Sequence, residues 1–128
     1  MPKTDLPDET RILGMLGLAA RARRLIFGVP QICDAMRAGR RQQTPLLVRE
    51  AADTSPNTHK RITDRCAFYE TAHVRLRTDG ETLAHAVGHS GVLAAVAVTD
   101  PRFRDALQPL LKPLPARSDI KPPDSPVG

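Results

Sequence analysis

Histidine is the residue of this sequence best suited to metal or acid–base chemistry. His85 and His89 lie four residues apart, a spacing that places two imidazoles on one face of a helix. The zinc-binding motif with this spacing, HExxH, also needs a glutamate after the first histidine, and alanine stands there instead. A third ligand is not evident nearby, and His59 and His73 are isolated in the sequence. We therefore expect no metal site and no cofactor.

Catalytic nucleophiles are also difficult to place. No serine occupies a GxSxG elbow, and the residues around Gly28 lack the lysine and the glycine spacing of a phosphate-binding loop. Cys33 and Cys66 form no CxxC pair and fall at apolar positions of predicted helices, without a positioned base. We expect buried free thiols and a protein that is not an enzyme.

Clustered arginines give a more specific indication. The formal net charge is +5, and guanidinium is a planar group that binds phosphate through two hydrogen bonds. Two clusters lie at the two ends of the predicted second helix: Arg21, Arg23 and Arg24 in the first, and Arg37, Arg40 and Arg41 in the second. We expect both clusters to border one surface that binds RNA phosphates. Two alternatives remain open, the arginine usage of a GC-rich genome and a merely solvated helix face.

The few aromatic residues narrow the class of RNA-binding protein. The chain contains one tyrosine and three phenylalanines, and most of them are predicted to lie in the core. A platform of stacked aromatics, as used by RRM and OB-fold proteins, is therefore not expected.

The elements that position these residues alternate between helix and strand. Helices are predicted over 9–24, 30–39 and 101–111, and a further helix is predicted to begin with Pro56 after the cap Ser55. The residues Thr78-Asp79-Gly80-Glu81 fit a capping box for another helix, which Gly88 ends. Strands are predicted over 25–27, 46–48 and 92–98 and around 74–77. Within the first helix, Gly14 and Gly17 indicate either close packing or a weak point. This order predicts an α/β protein, a three-layer α/β/α sandwich with a mixed sheet of about four strands.

The sequence also predicts how the chain is organised. We expect a flexible leader over 1–8, one RNA-binding domain over 9–112 and a disordered proline-rich tail over 113–128. No apolar run reaches the roughly 20 residues of a membrane span, and the first residues lack a secretory pattern. We therefore expect a cytoplasmic monomer without contact to a membrane.

Several segments resemble the bacterial YlxQ-like proteins of the kink-turn-binding ribosomal-protein superfamily, the group typified by archaeal ribosomal protein L-seven-Ae. The matching segments are residues 16–25, 28–39, 55–66, 83–88 and 94–98, in the family's order. The stretch NTHKRITDRC at residues 57–66 is the most specific of them. The resemblance implies an α/β/α sandwich that binds kink-turn or similarly bent RNA without catalysis.

The resemblance also implies where the RNA contacts lie. The family glycine that opens the second helix falls on Gly28, and the residues that read the sheared purine pairs fall on Pro30 and Gln31. A phosphate-contacting lysine of the family falls on Asp34. The apolar loop near the flipped-out nucleotide falls on four residues: His89, Ser90, Gly91 and Val92.

Three of these positions depart from the family pattern, because the strong binders carry asparagine, glutamate and lysine where Pro30, Gln31 and Asp34 stand here. Pro30 has no side-chain hydrogen bond to offer, Asp34 repels phosphate, and Gln31 alone keeps a base-reading amide. We expect the arginine clusters to compensate for these departures by attracting RNA phosphates, with less discrimination between RNA sequences.

The leading hypothesis is a binder of structured RNA, either kink-turn-like RNA or rRNA, associated with the ribosome or translation factors. A protein-interaction scaffold of the translation machinery is the first alternative, suggested by the departures and the proline-rich tail. An RNA-binding module acting in trans with a modification enzyme is the second.

Overall fold

The computed structural model describes residues 6–41 and 43–111. The helices of this part of the chain are α1 (Leu6–Arg21), α2 (Val29–Ala38), α3 (Pro56–Phe68), α4 (Gly80–Ala86) and α5 (Pro101–Leu111). The strands are β1 (Leu25–Phe27), β2 (Leu47–Glu50), β3 (Ala72–Arg75) and β4 (Ala95–Val98). Helix α1 begins inside the predicted leader, and residues 1–5 and the predicted tail lie outside the described residues.

The four strands form one mixed sheet in the order β1-β4-β2-β3. Strand β4 runs antiparallel to both β1 and β2, whereas β2 and β3 are parallel. The uninterrupted apolar sequence of β4 is fully buried, because this central strand has helices on both faces. We call the end where β1, β2 and β3 finish and β4 begins the upper end of the sheet, and the opposite end the lower end.

Helices cover both faces of the sheet and complete the predicted α/β/α sandwich. On one face, α1, α4 and α5 pack through fully buried leucines such as Leu16, Leu83 and Leu107. On the other face, α2 and α3 pack through Ile32 and Ile62. The fold prediction is confirmed.

Local sequence signals determine where several helices begin and end. The Ser55 hydroxyl accepts a hydrogen bond of 3.2 Å from the backbone N–H of Thr58 and caps α3. The Asp79 carboxylate accepts one of 2.8 Å from the N–H of Thr82 and caps α4, and this bond lowers the pKa of Asp79. Helix α2 ends at Gly39, which adopts the left-handed conformation at φ 60°. The Ser55 cap and the end at Gly39 were predicted from the sequence. The predicted capping box at residues 78–81 implied Thr78 as the cap of α4, which is wrong, because the Thr78 hydroxyl donates instead to the Glu9 carboxylate and Asp79 caps the helix.

The aromatic and cysteine side chains lie largely as expected. Phe27 and Phe103 pack against the core on the α1 face and Tyr69 against the core on the α2 face, while Phe68 is exposed. Cys33 and Cys66 are buried free thiols.

Candidate nucleic-acid interface

A groove of about 390 Å³ runs along α2 and the edge strand β1 toward the lower end of the sheet. Arg23 and Arg24 line it from the turn before β1, and Arg41 lines it from the loop after α2. Gln31, in the first turn of α2, contributes to the same wall. Residues from both arginine clusters therefore meet at one surface.

The turn after α1 fixes the first pair of arginines. The backbone N–H of Arg23 bonds the carbonyl of Ala20 at 3.0 Å, and that of Arg24 bonds the carbonyl of Ala19 at 2.8 Å. Arg23 adopts a positive φ of 62° to close this turn. The Arg24 carbonyl then accepts a 3.0 Å hydrogen bond from the N–H of Thr99, so β1 begins with both arginines at the groove.

The loop after α2 brings the third arginine, Arg41, to the same groove. Gly39 turns the chain at the end of the helix and donates to the carbonyl of Ala35 at 3.1 Å. The Arg40 carbonyl accepts hydrogen bonds from the Thr44 hydroxyl at 2.7 Å and from the Gln43 N–H at 3.2 Å. These bonds hold the segment that carries Arg41.

The groove carries excess positive charge. Within the described part of the chain, the guanidinium groups of Arg23 and Arg41 have no carboxylate partner. Arg24 lies 3.6 Å from the Asp100 carboxylate, whose pKa is lowered mainly by its hydrogen bonds with Arg102. Two unneutralised guanidinium groups beside amide and hydroxyl groups are suited to binding phosphates.

The other predicted arginines lie outside the groove wall. Arg21 is exposed at the last turn of α1. Arg37 forms an ion pair with Asp34 one turn earlier on α2, so the acidic residue that would repel phosphate is neutralised within the helix. Arg40 lines a smaller neighbouring depression that also includes Asp34.

The N-terminus of α2 lies at the upper end of the sheet and is opened by Gly28. This glycine has φ 91° and ψ 148°, and its N–H bonds the carbonyl of Ala95 at 3.0 Å. A Cβ at this position would lie 2.8 Å from the side-chain oxygen of Gln31. Pro30 and Gln31 are exposed in the first turn.

The predicted apolar loop lies beside this helix terminus. The ring centroids of His89 and Phe27 are 5.4 Å apart, and Phe27 directly precedes Gly28 in the chain, so His89 lies near the start of the turn into α2. The four loop residues from His89 to Val92 are exposed, with Val92 66% exposed. The resemblance-based positions at Gly28 and Gln31 and the loop that begins at His89 therefore all lie toward the upper end of the sheet.

Two polar residues of the groove were not predicted from the sequence. Gln43 and Thr99 line it together with Arg24 and Arg41. Neither residue belongs to a sequence motif. Thr99 reaches the groove only because β4 ends next to the start of β1.

Comparison with known proteins adds to this geometry. No protein-family model matches the chain. The RNA-binding protein YlxQ of Bacillus subtilis is 33% identical over 97 residues, which is 76% of this chain and 91% of YlxQ. The chain belongs to the YlxQ family. A structure of a Bacillus halodurans protein of unknown function is 30% identical, with a TM-score of 0.68 over 77% of this chain and 94% of that protein.

A more distant structure shares the fold. The Giardia lamblia 15.5kD RNA binding protein is 14% identical to this YlxQ family member, with a TM-score of 0.68 over 82% of this chain and 85% of that protein. The relatives with a stated role are described as RNA-binding proteins and not as enzymes. Among the described residues, no helix is long and apolar enough to cross a membrane.

Proposed function

We propose that this chain binds structured RNA without catalysis and that it associates through this RNA with the ribosome or another part of the translation machinery. The observation that carries the proposal is the groove in which Arg23, Arg24 and Arg41 converge from distant parts of the sequence beside Gln31. The description of the Bacillus subtilis relative as RNA-binding supports the same class of ligand.

The groove and the α2 terminus divide the work of recognition. Arginines contribute affinity for phosphates, which is independent of sequence and sensitive to salt. The exposed amide of Gln31 and the loop from His89 to Val92 present hydrogen-bonding and apolar groups suited to unpaired bases. A bent RNA that places its backbone along α2 and an unstacked base at the upper end satisfies both, which favours a kink-turn-like ligand.

The first experiment is a titration of the full chain against a labelled kink-turn RNA and a plain RNA duplex of equal length at two salt concentrations. We expect tighter binding to the kink-turn at both concentrations. Replacing Gln31 with alanine should weaken kink-turn binding by about 1–3 kcal/mol and leave duplex binding unchanged, because base contacts discriminate between ligands and phosphate contacts do not.

A charge-matched pair of variants tests the groove itself. The double variant Arg23→Ala/Arg41→Ala removes two positive charges from the groove, and Arg11→Ala/Arg61→Ala removes two exposed arginines from α1 and α3. We expect the groove variant to lose roughly 100-fold in affinity at low salt, about 1.5 kcal/mol per charged hydrogen bond. Its plot of log affinity against log salt should also become shallower by about 1.5.

The results separate the alternatives. Equal losses in both double variants would mean that net charge and not the groove governs binding, which contradicts the proposed site. Equal and strongly salt-dependent binding of both RNAs would remove kink-turn specificity and retain phosphate binding. No binding to either RNA would favour the protein-interaction scaffold.

A further inference from the structure

A buried carboxylate with two histidines forms a second polar cluster, at the upper end of the sheet. Glu50 is the last residue of β2 and is fully buried. His59 Nδ1 lies 2.8 Å from both carboxylate oxygens, and His73 Nε2 lies 2.8 Å from Oε1. The two histidines that appear isolated in the sequence therefore share one partner in the structure.

Three elements build this cluster. The parallel register of β2 with β3 pairs Val48 with His73 and Glu50 with Arg75. Helix α3 covers this face of the sheet and brings His59, in its first turn, over the same carboxylate. The side chain of His73 is 16% exposed and that of His59 40% exposed, so the cluster opens to solvent on the α3 side.

Contacts with the two imidazoles and with Arg75 already surround the buried Glu50 carboxylate. A buried carboxylate is costly unless a cation or several hydrogen bonds compensate it. Arg75 approaches Glu50 only to 3.7 Å, and its guanidinium also donates to the carbonyls of Ala52 and Thr54 at 3.0 and 3.3 Å. These hydrogen bonds to backbone carbonyls hold the Arg75 guanidinium at the edge of the cluster.

We propose that Glu50, His59 and His73 bind a divalent transition-metal ion, with zinc as the best fit. Two imidazole nitrogens and one carboxylate oxygen are a ligand set that proteins use for zinc, with a fourth position open to water. The three ligand atoms all lie within 4.8 Å of one another. Imidazole nitrogen favours zinc, nickel or copper, whereas magnesium and calcium require oxygen ligands.

Metal binding requires the three ligand atoms to rearrange. Around a tetrahedral zinc ion with bonds of about 2.1 Å, ligand atoms lie about 3.4 Å apart. The two imidazole nitrogens must therefore move about 0.6 Å away from the Glu50 oxygens, from their present distances of 2.8 Å. The two nitrogens, which lie within 4.8 Å of each other, must also settle about 3.4 Å apart. His59 is able to do so because it lies on the helix surface. Arg75 remains in place as a charged neighbour, 3.7 Å from the Glu50 carboxylate and hydrogen-bonded to backbone carbonyls.

The site is independent of the groove but lies at the same end of the sheet as the α2 terminus. Glu50 pairs with Ala95, whose carbonyl accepts the hydrogen bond from the Gly28 N–H. Cys66, also on α3, is not one of the clustered ligands.

The test is an isothermal titration of the full chain, first freed of metal by a chelator, with zinc chloride. We expect one zinc ion per chain, a rise in the unfolding temperature on saturation, and no binding of magnesium at the same concentrations. His59→Ala should weaken zinc binding at least about 100-fold, since loss of even an outer partner of a metal ligand costs roughly 10- to 100-fold.

A matched variant controls for surface binding. His85→Ala removes an exposed histidine that lies on α4, outside the cluster, and should leave zinc affinity unchanged. The His59→Ala chain, whose folding is checked by circular dichroism, should show no zinc-dependent rise in unfolding temperature. Absence of zinc binding by the folded wild-type chain, or equal weakening in His59→Ala and His85→Ala, would overturn the proposal and leave the cluster as a hydrogen-bonded anchor of α3.

Discussion

Replacement of Gly28 by alanine tests how the chain turns from β1 into α2. At φ 91° and ψ 148°, Gly28 adopts a conformation that essentially only glycine occupies. Holding an alanine there costs about 1–3 kcal/mol. The new Cβ would also lie 2.8 Å from the side-chain oxygen of Gln31, which is the end of a flexible side chain and moves at small additional cost. We expect Gly28→Ala to lower the free energy of unfolding by about 2–3 kcal/mol.

Two other glycines provide matched controls. Gly39 has φ 60° and no atom within 4 Å of an added Cβ, so Gly39→Ala should cost only about 1 kcal/mol. Gly14 lies inside α1 with equally open surroundings, so Gly14→Ala should stabilise the protein by about 0.5–1 kcal/mol.

Urea unfolding monitored by circular dichroism measures all three variants. For Gly28→Ala the midpoint should fall by roughly 1–2 M, given slopes of about 1–3 kcal/mol per M for small proteins. A Gly28→Ala chain at least as stable as Gly39→Ala would refute the reasoning. RNA affinity per folded molecule adds a second readout, since an unchanged value would limit Gly28 to its role in the turn.

Two further variants test a close contact between two helices and a buried charge. Gly17→Ala should lower stability by about 1–3 kcal/mol, because its Cβ would lie 2.8 Å from the backbone oxygen of Ala86 and force α1 away from α4; a urea midpoint equal to that of Gly14→Ala would contradict this close contact. Arg49→Met should leave the free energy of unfolding at pH 7 unchanged or raise it by about 1–3 kcal/mol. Arg49 is fully buried, and its Nε and one terminal nitrogen have no hydrogen-bond partner among the described residues. Burial lowers the pKa of Arg49 to about 10, so the charged guanidinium destabilises the folded state below that pH. The stability advantage of the variant should therefore shrink as the pH rises above 10 and the guanidinium of the folded protein loses its proton. Urea unfolding at pH 7 and at about pH 10.5 measures this difference, and a variant that is less stable at pH 7 would show that the buried charge is stabilising.

The sequence by itself determined the features that depend on neighbouring residues. Ser55 begins a helix because its side chain reaches the backbone N–H three residues ahead. Gly39 ends a helix because it adopts the left-handed conformation without strain. The apolar run of β4 required burial on both faces, which indicated a central strand before any partner was known. These short-range effects were sufficient for the order of elements and for the α/β/α class.

Tertiary structure decided which distant residues meet. Gly14 and Gly17 look alike in the sequence, yet only Gly17 faces the backbone of another helix. Arg24 and Arg41 line one groove because β1 lies at the edge of the sheet beside α2. Glu50 and His73 are 23 residues apart, and their contact exists only because β3 pairs in parallel with β2. Strand order and register are set by the burial of the whole core, so no local spacing predicts the sites that they assemble.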